Sequence, residues 1–173
     1  KRTPLPDDVR RATRDHFNQI ERLTEELEKA LKDVEAPAEL KPSEDEDRPQ
    51  QRKTMRHQFL SAYDCLVADK VLKPRILFFQ RDGFDTHREQ KVALDAAWQD
   101  LFGSSGGTAS FLKTVERDFP SIFKKMTLAV GTEFGRQILA NGDAGTDHGR
   151  GNLVLLWAAS GLQGGTYGRL FPD

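Results

Sequence analysis

Several features that would point directly to a fold or a function are missing from this chain. The single cysteine, Cys65, excludes an intrachain disulfide and a zinc cluster built from several thiolates. The longest uninterrupted apolar run, Leu153 to Ala159, is far shorter than the roughly 20 residues of a membrane-spanning helix. A phosphate-binding loop and a dinucleotide fingerprint are both absent. The sequence therefore predicts no transmembrane segment, and no common nucleotide-binding motif supports a function.

An excess of charge of one sign is also lacking. The chain has 26 Lys and Arg against 27 Asp and Glu, a formal net charge of −1. This balance gives no reason to expect nucleic acid or an anionic membrane surface as a partner. At 173 residues we expect one domain, or one domain with a helical extension. The chain opens with Lys1 and shows no signal peptide, so we expect that the natural product can start further upstream.

The N-terminal region, residues 1–35, is predicted to be an amphipathic helix over 6–34. Its apolar residues recur at spacings compatible with one face: Val9, Ile20, Leu23, Leu27, Leu31 and Val34. The opposite face is rich in Glu, Lys and Arg. A packing helix with a solvated side is one interpretation, and a partner-binding helix with a short coiled-coil seam is the other.

Residues 36–50 are predicted to be a mobile linker. Three prolines bracket the acidic run at 43–47, and nothing in this segment can build a core. An acidic calcium loop is the alternative, but the run lacks the glycine and the distal glutamate of an EF-hand. The remaining region, residues 51–173, begins with a predicted helix over about 50–70.

Three short apolar runs, at 75–80, 126–131 and 153–158, predict strands. Helices are expected between the first two runs, at about 89–102 and 108–118. This order is typical of an α/β protein, and we expect a partial α/β/α sandwich with a mostly parallel sheet, preceded by the N-terminal helices. In such sheets ligands bind beyond the carboxyl ends of the strands.

Polar motifs lie close to these predicted strand ends, at residues 83–87, 132–136 and 145–149. Asp85 and His87 are two residues apart, so in an extended segment both side chains point to the same side. Glu133 follows the second strand, and His148 lies in a glycine-flanked loop. Carboxylates and imidazoles are ligands for divalent ions such as zinc, so we expect Asp85, His87, Glu133 and His148 to bind a metal.

Three neighbouring residues complete the predicted site. The fork of Arg136 matches two oxygens of a tetrahedral anion, so Arg136 is a candidate for anion binding. Thr86 and Asp147 stand beside the ligands and are expected to support them. Purely structural roles are the alternative: Asp85 as a helix cap, a Glu133–Arg136 ion pair, and Asp147 in an Asx-turn.

The motifs, taken in order, resemble the bacterial domain-of-unknown-function 1501 family of the alkaline-phosphatase-like superfamily. The resemblance covers roughly residues 70–173, whereas residues 1–69 match only loosely. It is carried by five segments: 82–90, 131–136, 141–142, 145–152 and 164–168.

The resemblance implies an α/β/α sandwich and a metal-dependent hydrolase of phosphate or sulfate esters. It places Asp85, His87 and His148 at one metal site and Glu133 near a second. Many relatives use the twin-arginine export route, so the resemblance alone implies a periplasmic location.

The chain departs from the superfamily in its N-terminal half. There the superfamily has a nucleophilic Ser or Thr and a further metal-binding Asp, whereas residues before 75 are helical and acidic. Three interpretations follow: the C-terminal portion of a hydrolase, a degenerate relative acting as a structural or interaction subunit, or a small metal-binding domain. In the first two, the expected partner is a missing N-terminal half, a second copy or another protein.

Overall fold

The computed structural model describes residues 6–41, 54–103 and 107–168. The chain divides into two compact units: Lys1–Ala36 with Ser61–Leu77, and Pro37–Leu60 with Phe78–Asp173. The acidic run of the predicted linker and the first residues of the predicted second helix lie outside the described residues. The described start of the linker does contribute to a core, because Leu40 is fully buried.

The first unit is helical. Helix α1, Asp7–Leu31, forms within the segment where the sequence predicts a helix, with Asp7 and Asp8 at the positive end of its dipole. None of its residues is buried. Helix α2, Met55–Val67, contributes its last residues to this unit, and α3, Asp69–Leu72, follows it.

The core of the second unit is aromatic. Helices α4, Gln90–Phe102, α5, Thr108–Asp118, and α6, Pro120–Phe123, belong to it. Phe59 at the start of α2 stacks on Phe111 of α5 with ring centroids 4.7 Å apart. Phe79 packs 5.0 Å from Phe59. Stacked and tilted aromatic pairs of this kind add to the stabilisation that burial alone provides.

The sheets are antiparallel, so the predicted mostly parallel sandwich is wrong. Strand β1, Thr127–Gly131, pairs with β4, Val154–Ala158, with Ala129 opposite Leu156. Strand β2, Gly135–Arg136, pairs with β3, His148–Gly149. A parallel pairing needs a crossover connection, usually a helix. Because the chain between β1 and β4 contains only β2, β3 and loops, β4 returns in the antiparallel direction.

The predicted strand at 75–80 forms no strand pairing in the described residues. Its apolar side chains alternate instead of being covered on both faces. Ile76 and Phe78 are 86% and 85% exposed, whereas Phe79 packs in the aromatic core. The side-chain NH₂ of Gln58 donates a hydrogen bond to the Gln80 carbonyl, and its side-chain oxygen accepts one from the Gln80 N–H. These two bonds fix the end of the segment.

Mixed helix and small antiparallel sheets thus replace the expected layered sheet. Within the described ranges, no helix combines the length and the apolar character needed to cross a membrane.

Candidate metal centre

The segment after Gln80 carries Asp85, Thr86 and His87 with alternating exposure. Thr86 is only 6% exposed, whereas the side chains of Asp85 and His87 are 53% and 45% exposed. The two exposed side chains meet, with His87 Nε2 3.1 Å from Asp85 Oδ1. The spacing of two residues therefore puts both groups on one side, as the sequence predicts.

A close backbone approach brings the loop before β3 onto this segment. The Thr146 N–H donates to the Thr86 carbonyl at 3.3 Å. A Cβ on Gly145 would lie only 2.1 Å from the carbonyl carbon of His87, so this approach requires glycine. The Gly145 in the sequence motif thus serves the packing of two distant segments.

The short β2–β3 pairing places His148. Arg136 of β2 is directly opposite His148 of β3 in the register. The imidazole of His148 also stacks on the ring of Phe134, with centroids 3.8 Å apart. Backbone pairing and ring stacking together restrict the direction in which this imidazole points.

Asp85, His87 and His148 converge. His148 Nε2 lies 3.1 Å from Asp85 Oδ1 and 3.2 Å from His87 Nε2, and the third side of the triangle is also 3.1 Å. Among the described residues, these three form the group of potential ligands whose atoms all lie within 4.8 Å of one another. The residues come from segments about sixty positions apart, joined by tertiary structure.

The triangle fits a divalent ion. A tetrahedral site with bonds of about 2.0–2.1 Å has ligand–ligand edges of about 3.3 Å, close to the observed distances. Two imidazole nitrogens and one carboxylate oxygen form a set that zinc commonly accepts. The donor atoms are therefore already near the spacing that a shared ion requires.

Asp147 and Asn141 contact His87 on the side away from the triangle. Asp147 Oδ1 lies 3.1 Å from His87 Nδ1, and the amide of Asn141 donates to the His87 carbonyl at 3.0 Å. A proton on Nδ1 satisfies Asp147 and leaves the Nε2 lone pair directed at the triangle. This carboxylate–histidine arrangement is common behind metal-bound histidines.

Electrostatics keep both carboxylates of the centre ionised. Desolvation acts to raise the pKa of Asp85, but the neighbouring His148, Arg136 and His87 side chains prevail and lower it. The pKa of Asp147 is lowered by hydrogen bonds from Asn141 and His87. Ionised carboxylates are the form in which aspartate binds or supports a metal ion.

Glu133 is not part of the triangle. It occupies an exposed bend between β1 and β2, and the group of converging ligand atoms does not include it. Its assignment to a second metal position stays a prediction.

Arg136 contacts the protein itself. Its guanidinium donates to Asp85 Oδ1, to the Thr86 carbonyl at 2.7 Å, to Thr146 Oγ1 at 3.0 Å and to the Thr146 carbonyl. Four of the five N–H groups of the guanidinium are thereby used. The alternative role of Arg136 is an ion pair with Glu133, but among the described residues Arg136 pairs with Asp85. Anion binding by Arg136 stays a prediction, with most of its donors engaged.

Three residues at the centre received no role from the sequence: Phe134, Asn141 and Thr146. The Asn141-Gly142 pair was a visible turn signal, and the Asn141 side chain accepts from the N–H groups of Asp143 and Gly145. The contacts of Phe134 and Thr146 depend on distant segments, and no local pattern indicates them.

The fold and the site define a mixed α and β protein with an exposed Asp-His-His cluster. The chain belongs to a family described as "Protein of unknown function (DUF1501)", which matches residues 5–170. The match includes the helical region before residue 70, which the sequence motifs left as a loose resemblance. No curated protein matches the chain. No solved structure matches it either.

Proposed function

We propose that the chain is the C-terminal portion of an alkaline-phosphatase-like, metal-dependent hydrolase of phosphate or sulfate esters. The observation that carries the proposal is the triangle of Asp85, His87 and His148, with sides of 3.1–3.2 Å. The order of the polar motifs supports the superfamily. A divalent ion at this position would polarise an ester oxygen and lower the pKa of bound water.

The residues around the triangle have defined tasks in this proposal. Asp147 holds the Nδ1 proton of His87, so that Nε2 stays available as a ligand. The three ligand side chains are 45–53% exposed, so a substrate has access to the site.

The nucleophile would come from outside this chain. Two of the three threonine hydroxyls in the polar motifs serve other contacts: Thr146 Oγ1 accepts from Arg136, and Thr132 Oγ1 donates to the Phe134 carbonyl at 2.7 Å. The third, Thr86 Oγ1, is buried without a partner among the described residues. We therefore propose that the N-terminal half of the hydrolase, or another chain, supplies the Ser or Thr.

Exposed apolar residues in the β1–β4 sheet support the proposal that a further segment covers it. The successive residues Val154, Leu155 and Leu156 are 57%, 47% and 59% exposed, so the first three residues of β4 are uncovered on both faces. An exposed apolar strand of this kind is typical of a surface that another segment covers. The N-terminal half of the hydrolase would be that segment.

A second candidate function is a non-catalytic subunit of a larger assembly. Helix α1 favours it, because Phe17, Ile20 and Leu23 are 65%, 45% and 42% exposed on a helix with no buried residue. Such an apolar stripe on a charged helix is typical of an interface.

Zinc titration with calorimetry and equilibrium dialysis tests the metal site. We expect one ion per chain in the wild type, and an affinity at least about 100-fold lower in His148→Ala and His87→Ala, because each loses a ligand. His16→Ala, which removes an exposed imidazole from α1, is the matched control and should bind like the wild type.

Undiminished zinc binding in both His87→Ala and His148→Ala would contradict the site. An assay with generic aryl phosphate and sulfate esters accompanies the titration. The zinc-loaded chain alone should show no turnover. Turnover that depends on zinc and on His148 would show that this chain supplies its own nucleophile.

A further inference from the structure

Arg136 joins the two segments that deliver the ligands of the candidate metal centre. Its acceptors are the Asp85 carboxylate and the Thr86 carbonyl on one segment, and the hydroxyl and carbonyl of Thr146 on the other. The side chain is only 18% exposed, so water competes weakly for these donors. One guanidinium therefore bridges two segments about sixty residues apart.

The bonded groups are close along the chain to every ligand. Asp85 is itself a ligand, and Thr86 immediately precedes His87. Thr146 is two residues before His148, and Arg136 is opposite His148 in the β2–β3 register. A displacement of the guanidinium would therefore move all sides of the triangle together.

We propose that Arg136 is a positioning residue that holds the three ligands at the spacing of a shared ion. The proposal rests on the metal site proposed above. The planar fork of arginine can bond a carboxylate, a hydroxyl and two carbonyls at once, whereas the ammonium of lysine has three donors on one atom. The positive charge alone would repel a metal ion, so the benefit to metal binding comes from geometry.

This reasoning separates Arg136→Lys from Arg136→Gln. Loss of geometry weakens metal binding in both variants. An effect of charge alone would leave Arg136→Lys unchanged and make Arg136→Gln bind metal more tightly. An anion-binding role would leave zinc affinity unchanged in both and abolish binding of inorganic phosphate to the zinc-loaded chain.

Titration with Zn²⁺ and with Co²⁺ on the full chain tests the proposal. We expect both Arg136 variants to lose about 10- to 100-fold in metal affinity, the range typical of residues that orient metal ligands. The visible absorption of bound Co²⁺, which reports coordination geometry, should change in both. Arg150→Gln, which removes an exposed arginine next to β3, should change affinity less than about threefold.

A more conservative variant tests the proposal in case the Arg136 variants fail to fold. Thr146→Val conserves shape and charge but removes the hydroxyl that accepts from Arg136 Nε at 3.0 Å. We expect a smaller loss of affinity than in Arg136→Lys, with the circular dichroism of the wild type. Wild-type zinc affinity in Thr146→Val and in both Arg136 variants would overturn the proposal.

A measurement without metal separates this proposal from the proposed function. The imidazole nitrogen signals of His87 and His148 in NMR spectra report their surroundings in the metal-free chain. We expect these signals to shift in Arg136→Lys and not in Arg150→Gln. If the wild type binds no zinc but the signals shift, the proposed function fails and the positioning role stands. Unshifted signals would overturn the positioning role.

Discussion

Asp147 shows how much a single carboxylate can contribute at the residue scale. Its bond to His87 Nδ1 is 3.1 Å long, and the amide of Asn141 lies 3.3 Å from the same oxygen. In the proposed metal site, the negative charge would strengthen the imidazole as a ligand, and the hydrogen bond would fix its tautomer. Asn141 in turn links Asp147 to the backbone of the loop.

Asp147→Asn should therefore weaken zinc binding about 10-fold, because asparagine keeps the shape and an acceptor but loses the charge. Calorimetric titration measures the change. Asp143→Asn is the matched control, since the Asp143 side chain pairs with exposed Arg88 at 3.6 Å in the same loop. Equal losses in both variants would mean that the loop's net charge, and not the bond to His87, determines affinity.

The sequence predicts the site residues unevenly. The side chains of Asp85 and His87 point to the same side because side chains alternate along an extended segment. His148 lies in a glycine-flanked loop that can bend toward them, so the convergence of the three residues is close to what the motifs predict. Glu133 and Arg136 differ, because the direction of a side chain at a bend or a short strand depends on its tertiary acceptors. Two of the groups that bind Arg136 are backbone carbonyls, which no sequence pattern marks.

Helix α1 is the element whose surface makes the clearest prediction. Basic residues, Arg10, Arg11 and Arg14, precede its apolar stripe, and acidic residues, Glu21, Glu25, Glu26 and Glu28, lie toward its C-terminal end. A second copy in the antiparallel direction would set opposite charges beside one another. In a heptad register with Phe17 facing Ile20 of the second copy, Arg14 faces Glu21 of the second copy.

If α1 pairs with a second copy, Phe17→Glu should weaken that association by more than about tenfold, because it removes from each side an aromatic ring that the pairing would bury. Sedimentation of the chain over a concentration series measures it. Gln19→Glu adds the same charge off the stripe and should sediment like the wild type. Arg14→Glu and Glu21→Arg should each weaken association, and the double variant should restore it. If the wild-type chain stays monomeric over the concentration series, a second copy is excluded as the partner of α1.

Strand location and strand pairing were predictable to different extents. The apolar runs at 126–131 and 153–158 coincide with β1 and β4, since short apolar runs next to turns favour strands. Their direction depends on the connection, and a hairpin-like loop in place of a crossover helix gives the antiparallel pair. The run at 75–80 is also short and apolar at its centre, but Phe79 packs in an aromatic core and the segment has no strand partner among the described residues.

Stability at the scale of the whole molecule should respond to the titration of Asp64. Burial raises the pKa of this carboxyl on α2. The folded chain therefore holds its proton more tightly than the unfolded chain. Its contribution to the free energy of unfolding is present below the ordinary aspartate pKa of about 3.9 and is lost as pH rises through the raised value.

Asp64→Asn, which stays neutral, should be more stable than the wild type at pH 7, and the difference should vanish below about pH 3.9. Urea unfolding at both pH values measures it. The difference in stability is expected to be small, because the Asp64 carboxyl is partly solvated. Its dependence on pH, and not its size, therefore tests the explanation. Asp69→Asn, which removes a carboxylate from the exposed start of α3, is the matched surface control. A difference that is constant with pH would show that burial of the charge is not its cause.

If zinc binds at the triangle, the separation of His87 and His148 by 61 positions would make metal binding depend on folding. In the unfolded chain only Asp85 and His87 are neighbours, and closing a loop of that length around an ion is opposed by chain entropy. The unfolded state would therefore compete poorly for the metal, and nearly all of the binding free energy would be added to the stability of the folded state. At a free zinc concentration of 100 times Kd this amounts to about 2.7 kcal/mol. In a chain whose lone thiol can form no internal crosslink, zinc would be a reversible crosslink whose strength depends on the concentration of the ion.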